Sequence, residues 1–439
     1  EEEHRLFVRL ALLPGGLTSE SVAAVLLDGS PADALDALER LLEKNIVRVS
    51  AVKSGPQPRF FMLAVLRALA EERLMLDGEL AGLCLRRARY FADLAAQVRV
   101  GLTGKEQGAW LDRLAAEENN LRATLAWSLR ADADDEAVKL AVDLILDALT
   151  EYWVRRARLG EGLAWHQLAL TLRDRLPVAT QSRLLQRLSW YETLLGRYET
   201  ASRHSERAID LARLDGSADN LSTSLQIAGL VAGHQGDYGR AGRYFQETIA
   251  LETAAGKGEM VHNLAVAYNN LGIVLKHQGN YGQAIAMHQQ TLTFRRAQGD
   301  LMRLASTLRE LGDLMTLTGQ LDEAQRFFAE SLTIRRDLDD RRGVWLVLSG
   351  VGRLMLARGC WSDCARLCGA ILDAGQQIGL TMPPEERRVL EGDIRQLRQQ
   401  LGEAEFATAW TAGQQLGLDQ AAGEVQIWLD SPFAQDQTA

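Results

Sequence analysis

The chain is poor in the residues that interrupt helices and in those that carry chemistry. Only 8 of its 439 residues are proline, which leaves room for long uninterrupted helices. Four cysteines over this length, with no secretory leader, point to a reducing cytoplasm and not to a disulfide framework. No apolar run approaches the roughly 18 residues needed to cross a bilayer. The opening EEEHRLF lacks the basic and apolar regions of a signal peptide, and without an initiating Met the chain is expected to be cut from something longer. Basic excess is missing too: the net charge is −9, the wrong sign for a nonspecific grip on phosphates. No GxxxxGK[ST] is found. Lys105 in GLTGKEQG and Lys257 in AAGKGEM follow glycine, but neither precedes Ser or Thr. HExxH, GxSxG and CxxC are absent as well, so the chain is not expected to be an enzyme.

What is present is a soluble composition, 47% hydrophobic and 24% charged, in a chain too long for one compact core. One spelling returns along it. The pair Leu271–Gly272 recurs as Leu188–Ser189, Ala228–Gly229, Leu311–Gly312 and Val351–Gly352, with Leu149–Thr150 as a weaker first member, at spacings of 39, 40, 43, 40 and 40 residues. A second glycine follows at Gly196, Gly236, Gly279, Gly319 and Gly359. Then come Tyr198, Tyr238, Tyr281, Leu321 or Trp361, and three residues later Ala201, Ala241, Ala284, Ala324 or Cys364. The first small residue suits a close crossing of two antiparallel helices. The second can take the left-handed conformation that ends a helix. Asp237 and Asn280 stand where the next helix needs an N-cap. A single such hairpin cannot bury its own apolar face, so neighbours must stack.

The pattern resembles the tetratricopeptide repeat, lengthened from 34 to about 40 residues. That resemblance implies an α-solenoid coiling as a right-handed superhelix, about six hairpins over residues 137–375, with a concave inner face. Residues 1–63 read differently. LFVRLALL, TSESVAAVLL behind a Ser/Thr cap, and DALDALERLLEKN predict three helices; IVRVSAV and RFFML predict strands joined by the turn SGPQP. Three helices and a β-hairpin make a winged helix. Its third helix carries Asp33, Asp36, Glu39 and Glu43 against Arg40 and Lys44, a poor match to phosphate.

LFVRLALLPGGLTSESV, LEKNIVRVS, RFFMLAVLRALAEERL, GLTGKEQGAWLDRLAAEENNLRATLAWSL and, near the end, FATAWTAGQQLGLDQAAGEV together resemble the segment after the nucleotide-binding domain of bacterial STAND proteins. These are NB-ARC-type signal-transduction ATPases, many of them transcriptional regulators of the LuxR or antibiotic-regulator classes. The resemblance implies a winged helix that docks on the ATPase, a helical connector over 64–136, the repeat sensor, and a C-terminal helical cap and tail over 376–439. ATP or ADP is expected only in an NTPase domain outside this chain. Where many relatives carry Met-His-Asp, this chain has Met62-Leu63-Ala64, so the histidine associated with bound nucleotide is missing.

Other candidate chemistry is thin. Cys360, Cys364 and Cys368 share one helical face, but Cys364 and Cys368 take the packing positions held by Ala284 and His288 two repeats earlier, and free Cys packs as a small hydrophobe. His277 and His288 lack a third ligand at metal spacing, so no metal site is expected. In this repeat class the first helix of each hairpin lines the groove. Its inner positions give Gln186, Trp190, Gln226, Asn269, Asn270, Arg309, Asp313 and Arg353, with Lys276 one turn on. Asn amides can hold a peptide backbone and Arg can fork onto a carboxylate.

The expectation is therefore a cytoplasmic sensor that binds an inducer (peptide, protein or small molecule) and relays it to its own upstream NTPase domain, with no membrane or direct nucleic-acid partner; a ligand-induced oligomer is allowed. A plain protein-interaction scaffold, or DNA binding by residues 1–63, are the alternatives. In a titration with duplex DNA at low salt, the chain should show no saturable retention that weakens as salt is added. Such retention would restore the DNA-binding reading.

Overall fold

The computed structural model describes residues 2–27, 29–50, 58–76, 78–102, 107–255, 262–377 and 384–431. It is mainly helical and divides into two compact units, Glu1–His234 and Gln235–Ala439.

The first unit opens with α1 (Glu2–Leu10), α2 (Ser19–Val25) and α3 (Pro31–Glu43), followed by β1 (Val47–Val49) and β2 (Phe60–Met62). Thr18 and Ser30 start α2 and α3 as capping boxes, each accepting a backbone N–H three residues on. The strands pair antiparallel with Val47 opposite Met62 and Val49 opposite Phe60, and Leu17 adds a bridge to Phe60. The turn SGPQP falls largely outside the described residues. The cation of α3 and the one at its C-cap are turned toward α1: Lys44 pairs with Glu3, and Arg40 lies 3.6 Å from the same carboxylate.

The connector follows as α4 (Ala64–Leu76), α5 (Leu80–Gly101), α6 (Gln107–Ala116) and α7 (Glu118–Ser128). A buried polar knot fastens it to the hairpin. Arg59, beside β2, donates to the Glu117 carboxylate at 2.7 Å and to the Gly15 carbonyl at 3.0 Å. Asn120 accepts from the Gly15 N–H at 2.6 Å and donates to Glu117 at 2.7 Å. Both charged side chains are only 7% exposed. Removing one partner of such a pair strands the other charge out of water, whereas removing both does not.

Beyond it come α8 (Asp135–Leu144), a π-turn over Ile145–Leu149, α9 (Thr150–Arg155), α10 (Leu159–Thr171), α11 (Val178–Leu194), α12 (Tyr198–Asp215) and α13 (Ala218–His234). Here the repeat spelling is weakest, and hydrogen bonds hold the turn together. The Thr150 hydroxyl donates to the Ile145 carbonyl at 2.8 Å, and Tyr191 donates to the Thr150 carbonyl at 3.0 Å.

The second unit contains α14 (Tyr238–Ala254), α15 (His262–His277), α16 (Tyr281–Gln298), α17 (Leu301–Leu317), α18 (Leu321–Asp337), α19 (Arg341–Ala357), α20 (Trp361–Gln377), α21 (Pro384–Gln414) and α22 (Leu418–Asp430). The repeated second glycines do end helices: Gly279, Gly319 and Gly359 have φ of 76°, 78° and 76°, a conformation that costs a side-chain-bearing residue about 1 kcal/mol or more. Asp237 caps α14 through the Arg240 N–H at 2.9 Å, but Asn280 makes no side-chain cap. The close crossings fall at the first glycines. A Cβ at Gly272 would stand 2.7 Å from the His288 ring, and one at Gly312 2.8 Å from Phe328. Helix α21 breaks at Gly402 (φ 75°, ψ 159°). Its second half crosses α20 backbone to backbone, where side chains at Gly369 or Gly413 would strike the carbonyls of Trp410 and Arg366. Helix α22 turns back onto α18, α19 and α20, and Gln325 donates to the Leu429 and Ser431 carbonyls at 2.7 and 3.1 Å. Among the described residues no helix is long and apolar enough to cross a membrane.

The polar knot predicts an asymmetry in chemical denaturation. Arg59→Met alone should cost about 3–5 kcal/mol, and adding Glu117→Leu should recover most of that loss. Equal, additive losses from the two substitutions would show that the pair is not coupled.

Candidate functional site

The inner-face positions read from the sequence separate into two groups. In the first unit, Gln186 is buried and committed: its amide donates to Asn220 Oδ1 at 2.6 Å and to the Ser224 hydroxyl at 2.8 Å. It ties α11 to α13. Gln226 is buried, and its amide nitrogen has no partner among the described residues. Trp190 is half-buried on α11.

In the second unit the remaining candidates come together. Lys276 of α15 reaches the Glu310 carboxylate of α17 at 2.5 Å. Arg309 pairs with the neighbouring Glu310 and reaches Asp313 at 2.8 Å. Arg353 of α19 closes on the other oxygen of Asp313 at 2.7 Å. Charges thus alternate across three successive first helices, Lys276–Glu310–Arg309–Asp313–Arg353, with three cations against two carboxylates. Gly350 makes room for this arrangement, because a Cβ there would lie 2.9 Å from the Asp313 carboxylate. Asn269 and Asn270, nearly two turns earlier on α15, make among the described residues only a 3.4 Å side-chain bond to each other, which leaves amide groups for a ligand.

Glu310, at the centre, was not among the residues picked out by position. Burial pushes its carboxyl up, but Arg309, Lys276 and His288 outweigh that and hold it well below the usual carboxylate range. Its only sequence signal is that the 40-residue period aligns it with Asn270 and Gly350. Arg353 is held above the ordinary arginine value, chiefly by Asp313. Behind this row, His288 is fully buried with neither ring nitrogen hydrogen-bonded among the described residues, and burial drives its pKa down to about 4. The groups facing it are Glu310, which opposes the shift, and Lys276, Arg295 and Arg309, which add to it.

Cys364 and Cys368 pack inside, and Cys360 is half-buried. Cys364 donates to the Gly352 carbonyl at 3.1 Å, and its pKa is raised by a hydrogen bond with Cys368 and by burial. No group of three or more His, Cys, Asp or Glu able to hold a metal ion occurs among the described residues.

With this geometry in hand, comparison with known proteins is informative about the repeats. The tetratricopeptide repeat family matches residues 219–297 and 263–337, the stretch that carries the clearest spelling and most of the charge row. Proteins of Mycobacterium tuberculosis and Mycobacterium bovis named as HTH-type transcriptional regulators are 29% identical over 266 residues, which is 58% of this chain and 29% of theirs. The chain therefore spans less than a third of the length of these curated relatives. Among solved structures, a STAND protein with a tetratricopeptide-repeat sensor from Pyrococcus horikoshii is 14% identical, with TM-score 0.43, over 94% of this chain and 65% of its own. A Rap protein complexed with Competence and Sporulation Factor is 12% identical, with TM-score 0.49, over 76% and 93%.

Because the folded state binds a proton on His288 only near pH 4 while an unfolded histidine does so near 6.5, stability should fall as pH drops from about 6.5 toward 4. His166, likewise buried and lowered to about 4, adds to the same window. His288→Phe copies the residue found over Gly312. It should flatten the melting-temperature profile between pH 6.5 and 4.5, above the range where carboxylates take over. An unchanged slope would remove His288 as a contributor.

Proposed function

We propose that this chain is the regulatory, ligand-sensing portion of a STAND-type regulator of transcription. The reading rests chiefly on the charge row Lys276–Glu310–Arg309–Asp313–Arg353 with Asn269 and Asn270 beside it. It is a continuous polar strip across three successive first helices, α15, α17 and α19. An inducer (a peptide, a partner protein or a small molecule) lies along this strip, competing for hydrogen bonds that now run between repeats. Because each ion pair joins one repeat to the next, breaking or bridging a pair changes how the helices sit on one another. Such a ligand shifts a two-state equilibrium only by its differential affinity for the two states.

In this reading residues 1–63 form a winged helix, and the knot of Arg59, Glu117 and Asn120 makes hairpin and connector move as one body. Val65, Leu69 and Leu76 lie exposed along α4, an apolar strip suited to an NTPase domain outside this chain, where ATP or ADP would bind. The relatives' names favour control of transcription as the output. In this reading the chain's own part is to sense and relay, and catalysis belongs to that NTPase domain.

The test uses the immobilised chain and cytoplasmic lysate, with retained peptides, proteins and small molecules identified by mass spectrometry. A parallel column carries Asn269→Ala/Asn270→Ala/Arg353→Gln, in which Asp313 still keeps Arg309. A species held by the parent and reduced about tenfold or more on the variant, at an unchanged melting temperature, identifies the inducer. Equal retention on both columns would mean that the strip serves only to hold the repeats together.

A further inference from the structure

The repeat period places His288, Phe328 and Cys368 at equivalent positions, 40 residues apart. The first two rings fill the space over the glycine of their own hairpin, pressing on Gly272 and Gly312. The third side chain ends at its sulfur. At Gly352 an added Cβ would meet nothing within 4 Å, and a cavity of about 40 Å³ opens there, lined by Gly352, Cys364, Cys368, Ile371 and Leu390. That volume takes about three water-sized groups, the size of the three carbons of an isopropyl group. Its thiols are poor partners for water, since Cys364 already donates to the Gly352 carbonyl.

The mouth is polar and two-signed. Arg353 and Asp393 both line it. Arg353 spends one nitrogen on Asp313. Asp393 of α21 has no hydrogen-bond partner among the described residues, and burial pushes its carboxyl up despite Arg353 nearby. A group that accepts from a guanidinium, donates to a carboxylate and carries a short branched hydrocarbon between the two answers every feature of this site.

We propose that the cavity between α19, α20 and α21 is the anchor pocket of the sensor and takes one aliphatic amino-acid residue of valine size. Its carbonyl or carboxylate accepts from Arg353, its nitrogen donates to Asp393, and its side chain fills the void left by Cys368. This rests on the inner-face sensing reading above and specifies the chemistry recognised at one end of that face. The residue comes either as a free amino acid or as part of a peptide, and the two sources differ in charge at the mouth.

The test is calorimetric titration of the full chain with valine and with N-acetyl-valine-methylamide, using the alanine and phenylalanine analogues as size controls. The parent should bind at least one valine probe and prefer it to both controls by about tenfold. Cys368→Phe rebuilds the filled slot of the preceding repeat, so it should keep or raise the melting temperature while abolishing binding. Cys368→Leu, a smaller filler, serves if the ring is not accommodated. Asp393→Asn should weaken free valine, whose ammonium needs a full charge, more than the blocked amide; a loss confined to free valine assigns the free amino acid as ligand, and preferential binding of the blocked form assigns a peptide. If neither valine probe binds, or binding survives both fillers, the pocket proposal is overturned. Should the Asn269/Asn270/Arg353 variant still lose a lysate species that the Cys368 variants retain, the sensor reading stands without this pocket.

Discussion

A hairpin of two helices cannot hide the apolar face that holds it together, and covering that face is the constraint on which the rest of this chain depends. Each repeat is therefore built for close approach. A glycine lets a ring of the second helix press on the first, as at Gly272 and Gly312, and a left-handed glycine turns the chain sharply enough to bring the two helices together. The same need governs the end of the second unit. There α22 folds back over three earlier helices, and Gln325 donates to two carbonyls at its terminus.

Regular stacking also decides where charge can stand. With a 40-residue period, residues four apart on one helix and forty apart on the next become neighbours, so Asp313 meets Arg309 from its own helix and Arg353 from the next repeat. The price of burying Glu310 and Asp313 is offset by cations from the same helix and from the adjacent repeats. A ligand for this strip has to offer better partners than the row already has. That favours extended, multiply hydrogen-bonding molecules over a lone anion.

Much of this was readable in advance, for a definite reason. Glycine at a left-handed turn and a small residue at a close crossing are local requirements, so their spelling recurs and can be recognised. Asp237 caps its helix as its residue type suggests, whereas Asn280 at the equivalent place does not, although its backbone angles (φ −84°, ψ 59°) are close to those of Asp237 (φ −83°, ψ 71°). Gln186 shows the limit of positional reasoning. Its register matches Asn269 and Arg309, but Asn220 and Ser224 on the facing helix draw its amide inward. Glu310 escaped notice because a carboxylate beside an arginine looks like a solvated surface pair until the repeats on either side enclose it.

Order along the chain, the helical periodicity, the hairpin punctuation and the small-residue crossings are properties of short stretches, and the amino acids specify them directly. The pairing of Lys276 with Glu310, the isolation of His288 and the void beside Cys368 are properties of neighbouring repeats, each set by side chains some 20 to 40 residues away. Whether a cysteine in a ring-sized slot leaves a hole depends on how far the surrounding helices collapse around it, and the Gly369 and Gly413 crossing, which holds the second half of α21 hard against α20, lets the space beneath its first half stay open.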